Sequence, residues 1–172
     1  MITSPEFPIQ VPKELQPIIG KLSVCRVFDE GIMKQLLEQD FSPSLPSQLV
    51  DAGLVERNDS KKNYRVPKPL RQATTSFNII NDTGNYIADN LVVKHYLDGC
   101  IGHEKTAEET IGHVIEALYH ELQTLIAPEG VPQEYIKERL QKNAQRYIAD
   151  CQNLPPNIMD IIRQDPDLAS YF

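Results

Sequence analysis

No run of roughly 18 apolar residues occurs in the 172-residue chain, so no membrane-spanning helix is expected. The opening segment, MITSPEFPIQVPKELQ, carries Glu6 and several prolines. It lacks the basic and apolar regions of a signal peptide, which points to a cytoplasmic chain with no membrane association. Cysteine is scarce. Cys25, Cys100 and Cys151 are odd in number and far apart, and none forms a CxxC pair. Neither a disulfide framework nor a zinc site is expected, and a buried, inert thiol is the reading for each. The triplets at Asn58 and Asn81 would accept glycans only in a secreted protein and are discounted. Catalytic signatures are missing too: no G-x-x-x-x-G-K-[ST], no G-x-G-x-x-G and no G-x-S-x-G. No enzymatic activity and no cofactor are therefore expected.

Hydrophobic residues make up 41% of the chain, enough for a packed core in one or two small domains. Charge divides them. Residues 1–75 hold ten Lys/Arg against nine Asp/Glu, and residues 76–172 hold seven against fifteen. A net of +1 gives way to −8, within a total of −7. The expected organisation is an arm over 1–12, a first domain over 13–75 and an acidic helical domain over 76–172.

Residues 1–12 contain three prolines and no periodicity, and read as extended. From Lys13 to about Leu22, the residues Leu15, Ile18, Ile19 and Leu22 follow helical spacing. Asp29 is set to cap a second helix to about Gln39, with Phe28 and Met33 as a hydrophobic staple. Ser44 is expected to cap a short third helix, LPSQLVDA, stopped by Gly53. Leu54 to Arg57 reads as a strand, Asn58 to Asn63 as a polar turn and Tyr64 to Val66 as the return strand. Three helices followed by a hairpin is the winged-helix arrangement. The fold class expected is mainly α: an N-terminal winged helix, three helices plus a β-hairpin wing, followed by an all-α helical-hairpin domain.

The stretch LVERNDSKKNYRVPKPLRQ (Leu54 to Gln72) gathers six basic residues: Arg57, Lys61, Lys62, Arg65, Lys68 and Arg71. They are the candidate partner-binding residues. In helix-turn-helix proteins the recognition helix enters the major groove and reads base edges. Here the third helix exposes Ser47, Gln48 and Asp51 and holds no Lys or Arg. Asp51 would oppose phosphate, whose neutralisation dominates DNA affinity. A sequence pI of about 5.1 also lacks the basic footprint of a DNA-binding domain. Docking of a protein partner is the leading reading. Solvation of an exposed turn is the bland one, and nucleic-acid binding is the alternative.

After residue 76 the pattern is helical. One helix begins near Leu70 and another spans 84–98. Thr106 to Glu109 forms a capping box opening a third, with Val114, Leu118, Tyr119 and Leu122 inward. Pro128 and Gly130 break it. Pro132 opens a helix through Ile136, Leu140, Ala144, Tyr147, Ile148 and Cys151. Pro155-Pro156 precedes a last short helix. His113, Glu116 and His120 fall within about 60° of arc on one helix face. A single helix cannot complete a metal site, and no second such motif occurs, so a solvated polar face is expected and no metal.

The segments "LSVCRVFDEGIMKQLL" and "LVDAGLVER…YRVPKPLRQ" resemble the winged-helix segment of STAND-type signalling ATPases, the NB-ARC relatives of apoptosome and plant resistance proteins. "EALYHELQ" (Glu116 to Gln123) is similar to the helical segment that often follows. The resemblance covers roughly residues 18–123. Tyr64, Arg65, Leu70 and Arg71 match the pattern at the wing's end, whereas Pro67 stands where relatives carry a histidine that in some touches nucleotide. The ATPase core is missing. The resemblance implies a free-standing regulatory or adaptor piece without nucleotide sensing, in which the winged helix docks protein and His120 belongs to a helix-packing motif. The function expected is a non-enzymatic module binding a protein partner, with a homo-oligomer left open. The alternative is a winged-helix transcriptional regulator dimerising through its C-terminal helices.

Overall fold

Helix caps and prolines set the chain's punctuation. The computed structural model describes residues 6–8, 10–125, 132–150, 154 and 156–172. The architecture is mainly helical with one small antiparallel sheet: α1 (Gln16–Leu22), α2 (Glu30–Leu37), α3 (Leu45–Asp51), β1 (Glu56–Asn58), β2 (Asn63–Arg65), α4 (Lys68–Asn81), α5 (Thr83–Cys100), α6 (Ala107–Thr124), α7 (Gln133–Asp150) and α8 (Ile158–Gln164). No helix among the described residues is long and apolar enough to cross a membrane. By its contacts the chain falls into two compact units, Met1–Val93 and Lys94–Phe172. The compositional break at residue 76 lies inside α4. Charge records what the surface faces, whereas contacts record what the core holds, so the two need not change at one residue.

In the first unit α1 lies against α2 and α4. Asp29 caps α2 as its sequence predicts: its Oδ1 accepts the Ile32 N–H at 2.8 Å, which satisfies a donor the first turn leaves open. Phe28 and Met33, the expected staple, are both buried. α3 ends in a Schellman motif. Gly53 takes φ +70, its N–H bonds the Val50 carbonyl at 2.9 Å, and the Leu54 N–H bonds the Leu49 carbonyl at 3.0 Å. Asn78 Nδ2 donates to the Gly20 carbonyl at 2.9 Å and Thr75 Oγ1 to the Ser23 carbonyl at 3.2 Å. Side chains of α4 thus satisfy carbonyls at the end of α1.

Several local expectations shift. Ser44 occupies the N-cap position of α3 but makes no capping bond. Its backbone is already helical, and its hydroxyl meets the side chains of Ser42 and Gln48. Leu54 and Val55 lie between α3 and β1 rather than in the strand, because both amides are spent on the Leu49 carbonyl of α3. α4 begins at Lys68, before Leu70, since Pro69 in a first turn costs no hydrogen bond. Of the arm, residues 1–5 and 9 lie outside the described residues. Val11 is buried, and Phe7 sits edge-on to Phe77 at 5.2 Å.

In the second unit α6 lies against α7. The two helices and α8 bury one apolar cluster around Leu118, Leu140, Ala144, Ile158, Ile162 and Leu168. Each such Leu or Ile contributes about 1.5–3 kcal/mol by leaving water. The Thr106 half of the capping box forms, its Oγ1 accepting the Glu109 N–H at 3.2 Å, while the Glu109 side chain accepts at 3.0 Å from the N–H of Lys105, one residue before the cap. The break at Pro128 and Gly130, the start at Pro155 and the thiol of Cys151 lie outside the described residues.

Candidate functional site

The hairpin pairs Glu56 with Arg65, Arg57 with Tyr64 and Asn58 with Asn63. Its turn is held by Asn58, whose Oδ1 accepts from Ser60 Oγ at 2.8 Å and from the Lys61 N–H at 3.2 Å. Lys62 completes the turn at φ +52. A third extended piece joins the sheet through a single residue. Phe28, in the link between α1 and α2, exchanges both backbone hydrogen bonds with Tyr64, at 2.9 and 2.7 Å. The two rings stack at 6.1 Å.

That bridge has a chemical consequence. Antiparallel register carries Arg26, two residues before Phe28, toward Val66, two residues beyond Tyr64. Arg26 and Val66 both line an open cleft of about 370 Å³ at the base of the hairpin, with Glu56, Arg65, Pro67, Lys68, Pro69 and Arg71. Four cationic residues and one acidic residue thus contribute to the lining. Glu56 Oε2 accepts from Arg65 Nε at 2.6 Å. Both partners are more than half exposed, so the pair adds little stability and serves to orient the guanidinium.

The six candidate residues thus divide. Arg65, Lys68 and Arg71 share the cleft. Arg57, Lys61 and Lys62 belong to the hairpin and its tip, all exposed, with Arg57 paired to Asp59 at 2.7 Å. The sequence stretch did not include Arg26, because the link between two helices has no strand-like alternation. A buried Phe beside an N-cap Asp was the available signal, and it spoke for α2 rather than for the sheet.

On α3, Ser47, Gln48 and Asp51 are exposed, and the helix holds no basic residue. The trio on α6 does not form the solvated face expected. His113 Nδ1 lies 2.8 Å from Glu104 Oε1 in the preceding loop. His120 is 1% exposed and stands edge-on to the Tyr119 ring at 5.3 Å. Burial works to raise the Glu104 carboxyl, but the bonds from His113 and the Gly102 N–H outweigh it and hold the pKa below the ordinary range. Among the described residues no three His, Cys, Asp or Glu stand where they could hold a metal ion.

The second unit holds another polar cluster. Lys94 Nζ donates to Asp98 Oδ2 at 2.7 Å and to the Tyr147 hydroxyl at 2.9 Å, and that hydroxyl donates to Asp98 Oδ1 at 2.6 Å. Burial pushes the Lys94 ammonium down, yet its bonds to Asp98 and Tyr147 prevail and raise it. Nearby, Glu121 is 4% exposed. Its Oε1 accepts from Asn143 Nδ2 and lies 3.6 Å from Arg139 Nε. Its Oε2 is buried with no hydrogen-bond partner among the described residues. Desolvation raises the Glu121 pKa, against the pull of Lys94, Arg139 and Arg146. The cluster ties α6 and the end of α5 to α7.

Comparison with models of known families, with curated proteins and with solved structures returns no match.

Proposed function

We propose that the chain is a non-enzymatic regulatory or adaptor module. It acts in the cytoplasm and binds a protein partner through a winged helix and a helical domain. The order of three helices, a hairpin and a one-residue bridge from the link before α2 supports the winged-helix reading. It is the reading that the resemblance to the STAND-type segment also favours. The acidic helical unit supplies a second surface or a dimer contact.

One observation carries the proposal: the positive charge gathers on the hairpin and the cleft at its base, while α3 carries none. A helix that offers Ser47, Gln48 and Asp51 is poorly suited to phosphate-dominated binding. An edge that offers Arg57, Lys61, Lys62, Arg65, Lys68 and Arg71 suits an acidic protein surface, where such complementarity sets on-rate and partner choice.

Reversing Lys61, Lys62, Arg65 and Lys68 to Glu should release the partner in a pull-down from nuclease-treated lysate. All four are exposed, so the fold survives, as circular dichroism would verify. Retention of every partner by the variant sinks the proposal. So does a gel shift in which duplex DNA binds specifically with a steep loss between about 50 and 200 mM salt.

A further inference from the structure

Lys62 sits where the backbone least favours a lysine. Among the described residues, Lys62 at φ +52 and Glu38 at φ +49 are the two non-glycines with positive φ. That left-handed region suits Gly, Asn or Asp, and other side chains are uncommon there because their Cβ crowds the following carbonyl. A glycine at position 62 would complete the turn at no steric cost. The turn is also braced. Asn58 Oδ1 accepts from Ser60 Oγ at 2.8 Å and from the Lys61 N–H at 3.2 Å, which fixes the backbone leading into both lysines. Asp59, the nearest acid in the chain, is spent on Arg57 at 2.7 Å. Lys61 and Lys62 are both exposed, and neither has an ion-pair partner among the described residues. The tip thus combines a strained backbone position with two uncommitted ammonium groups.

Strain that the fold itself does not require points to a contact outside the chain. We propose that the braced turn presents Lys61 and Lys62 as a fixed pair to an acidic patch of the partner protein, with Lys62 as the anchor. This rests on the docking reading above and narrows it to the tip. A lysine side chain loses rotamer freedom when a partner immobilises it. Ordering the backbone beforehand removes part of the cost of binding. The occupant is a carboxylate surface of a protein rather than a nucleic acid. A phosphate backbone is gripped by many cations along its length, and α3 adds none to the two at the tip.

The test pairs binding with stability in the full chain. Amide shifts in NMR follow titrations with poly-L-glutamate and with oligo(dT) of equal charge, and thermal melts follow the fold. Poly-L-glutamate is expected to shift residues 58–63 saturably and to bind at least as tightly as oligo(dT). Lys62→Asn should weaken it about threefold while raising the melting temperature by about 2 °C or more. Lys61→Asn removes the same charge from ordinary backbone, and should weaken binding with no rise in melting. Asn58→Ala leaves every charge in place and should still weaken binding about twofold. Tighter binding of oligo(dT), no saturable shift at the tip, or parental affinity in any of the three variants would each overturn the inference. So would a Lys62→Asn melt no higher than the parent's, or an equal rise from Lys61→Asn. The two readings fail separately. If charge reversal releases the partner but Lys62→Asn and Asn58→Ala bind as the parent does, docking stands and the anchored pair falls. If those variants weaken poly-L-glutamate but the partner is held despite charge reversal, docking falls.

Discussion

At the scale of single residues, Glu121 carries the clearest physical cost. Its side chain is almost wholly buried, one of its oxygens makes no hydrogen bond among the described residues, and its pKa is raised by desolvation. A carboxyl whose pKa is higher folded than unfolded binds more protons in the folded state. Its contribution to stability is therefore complete below the unfolded pKa near 4.5 and is lost as pH rises through the folded value. Glu121→Gln removes that loss. The variant should melt above the parent at pH 7, with the gap closing toward pH 4, in thermal scans at both pH values. A variant that melts below the parent at pH 7, with no change of gap on acidification, would show that Arg139, Lys94 and Arg146 outweigh the desolvation. The burial of Glu121 was not legible in the sequence. It is a charged residue among apolar ones on a helix, and only the packing of α7 shows that it faces inward.

At the scale of elements, the caps were the most legible part of the fold. Asp29, Gly53 and Thr106 act where their local sequence places them, because a cap is a bond over two or three residues and needs no distant partner. Ser44 is the counterexample: a hydroxyl in the right place finds a neighbouring side chain instead. What could not be read was the one-residue bridge of Phe28 to Tyr64, which has no alternation to announce it. The base of the hairpin went unread with it, and so did Arg26's place in the cleft. Gly53 tests the cap at the end of α3. A Cβ there would meet nothing within 4 Å, so any penalty is the backbone's left-handed conformation alone. Gly53→Ala should cost about 1–2 kcal/mol, and Gly53→Asn less, since Asn tolerates that region. Urea unfolding with an unchanged slope would read both. Equal costs for the two would mean that the strain lies elsewhere.

At the scale of the molecule, the contrast is one of charge. A chain of net charge −7 keeps ten of its seventeen basic residues before residue 76, six of them between Leu54 and Gln72. The structure adds Arg26 to that group and withholds any cation from α3. The mainly helical architecture and the extent of the basic stretch were legible from composition and spacing. The division of the stretch into a tip and a cleft was not, because it depends on the bridge and on the start of α4. On this reading a protein docks at the hairpin and the cleft beside it, not at α3. The most direct measurement is site-specific photo-crosslinking in cells, from Gln72 in the first turns of α4 and from Ser47 on α3, both exposed. Docking there should give a discrete protein adduct from Gln72, lost on reversal of Lys61, Lys62, Arg65 and Lys68 to Glu, with little adduct from Ser47. A DNA adduct from Ser47, or a Gln72 adduct indifferent to the reversal, would contradict it.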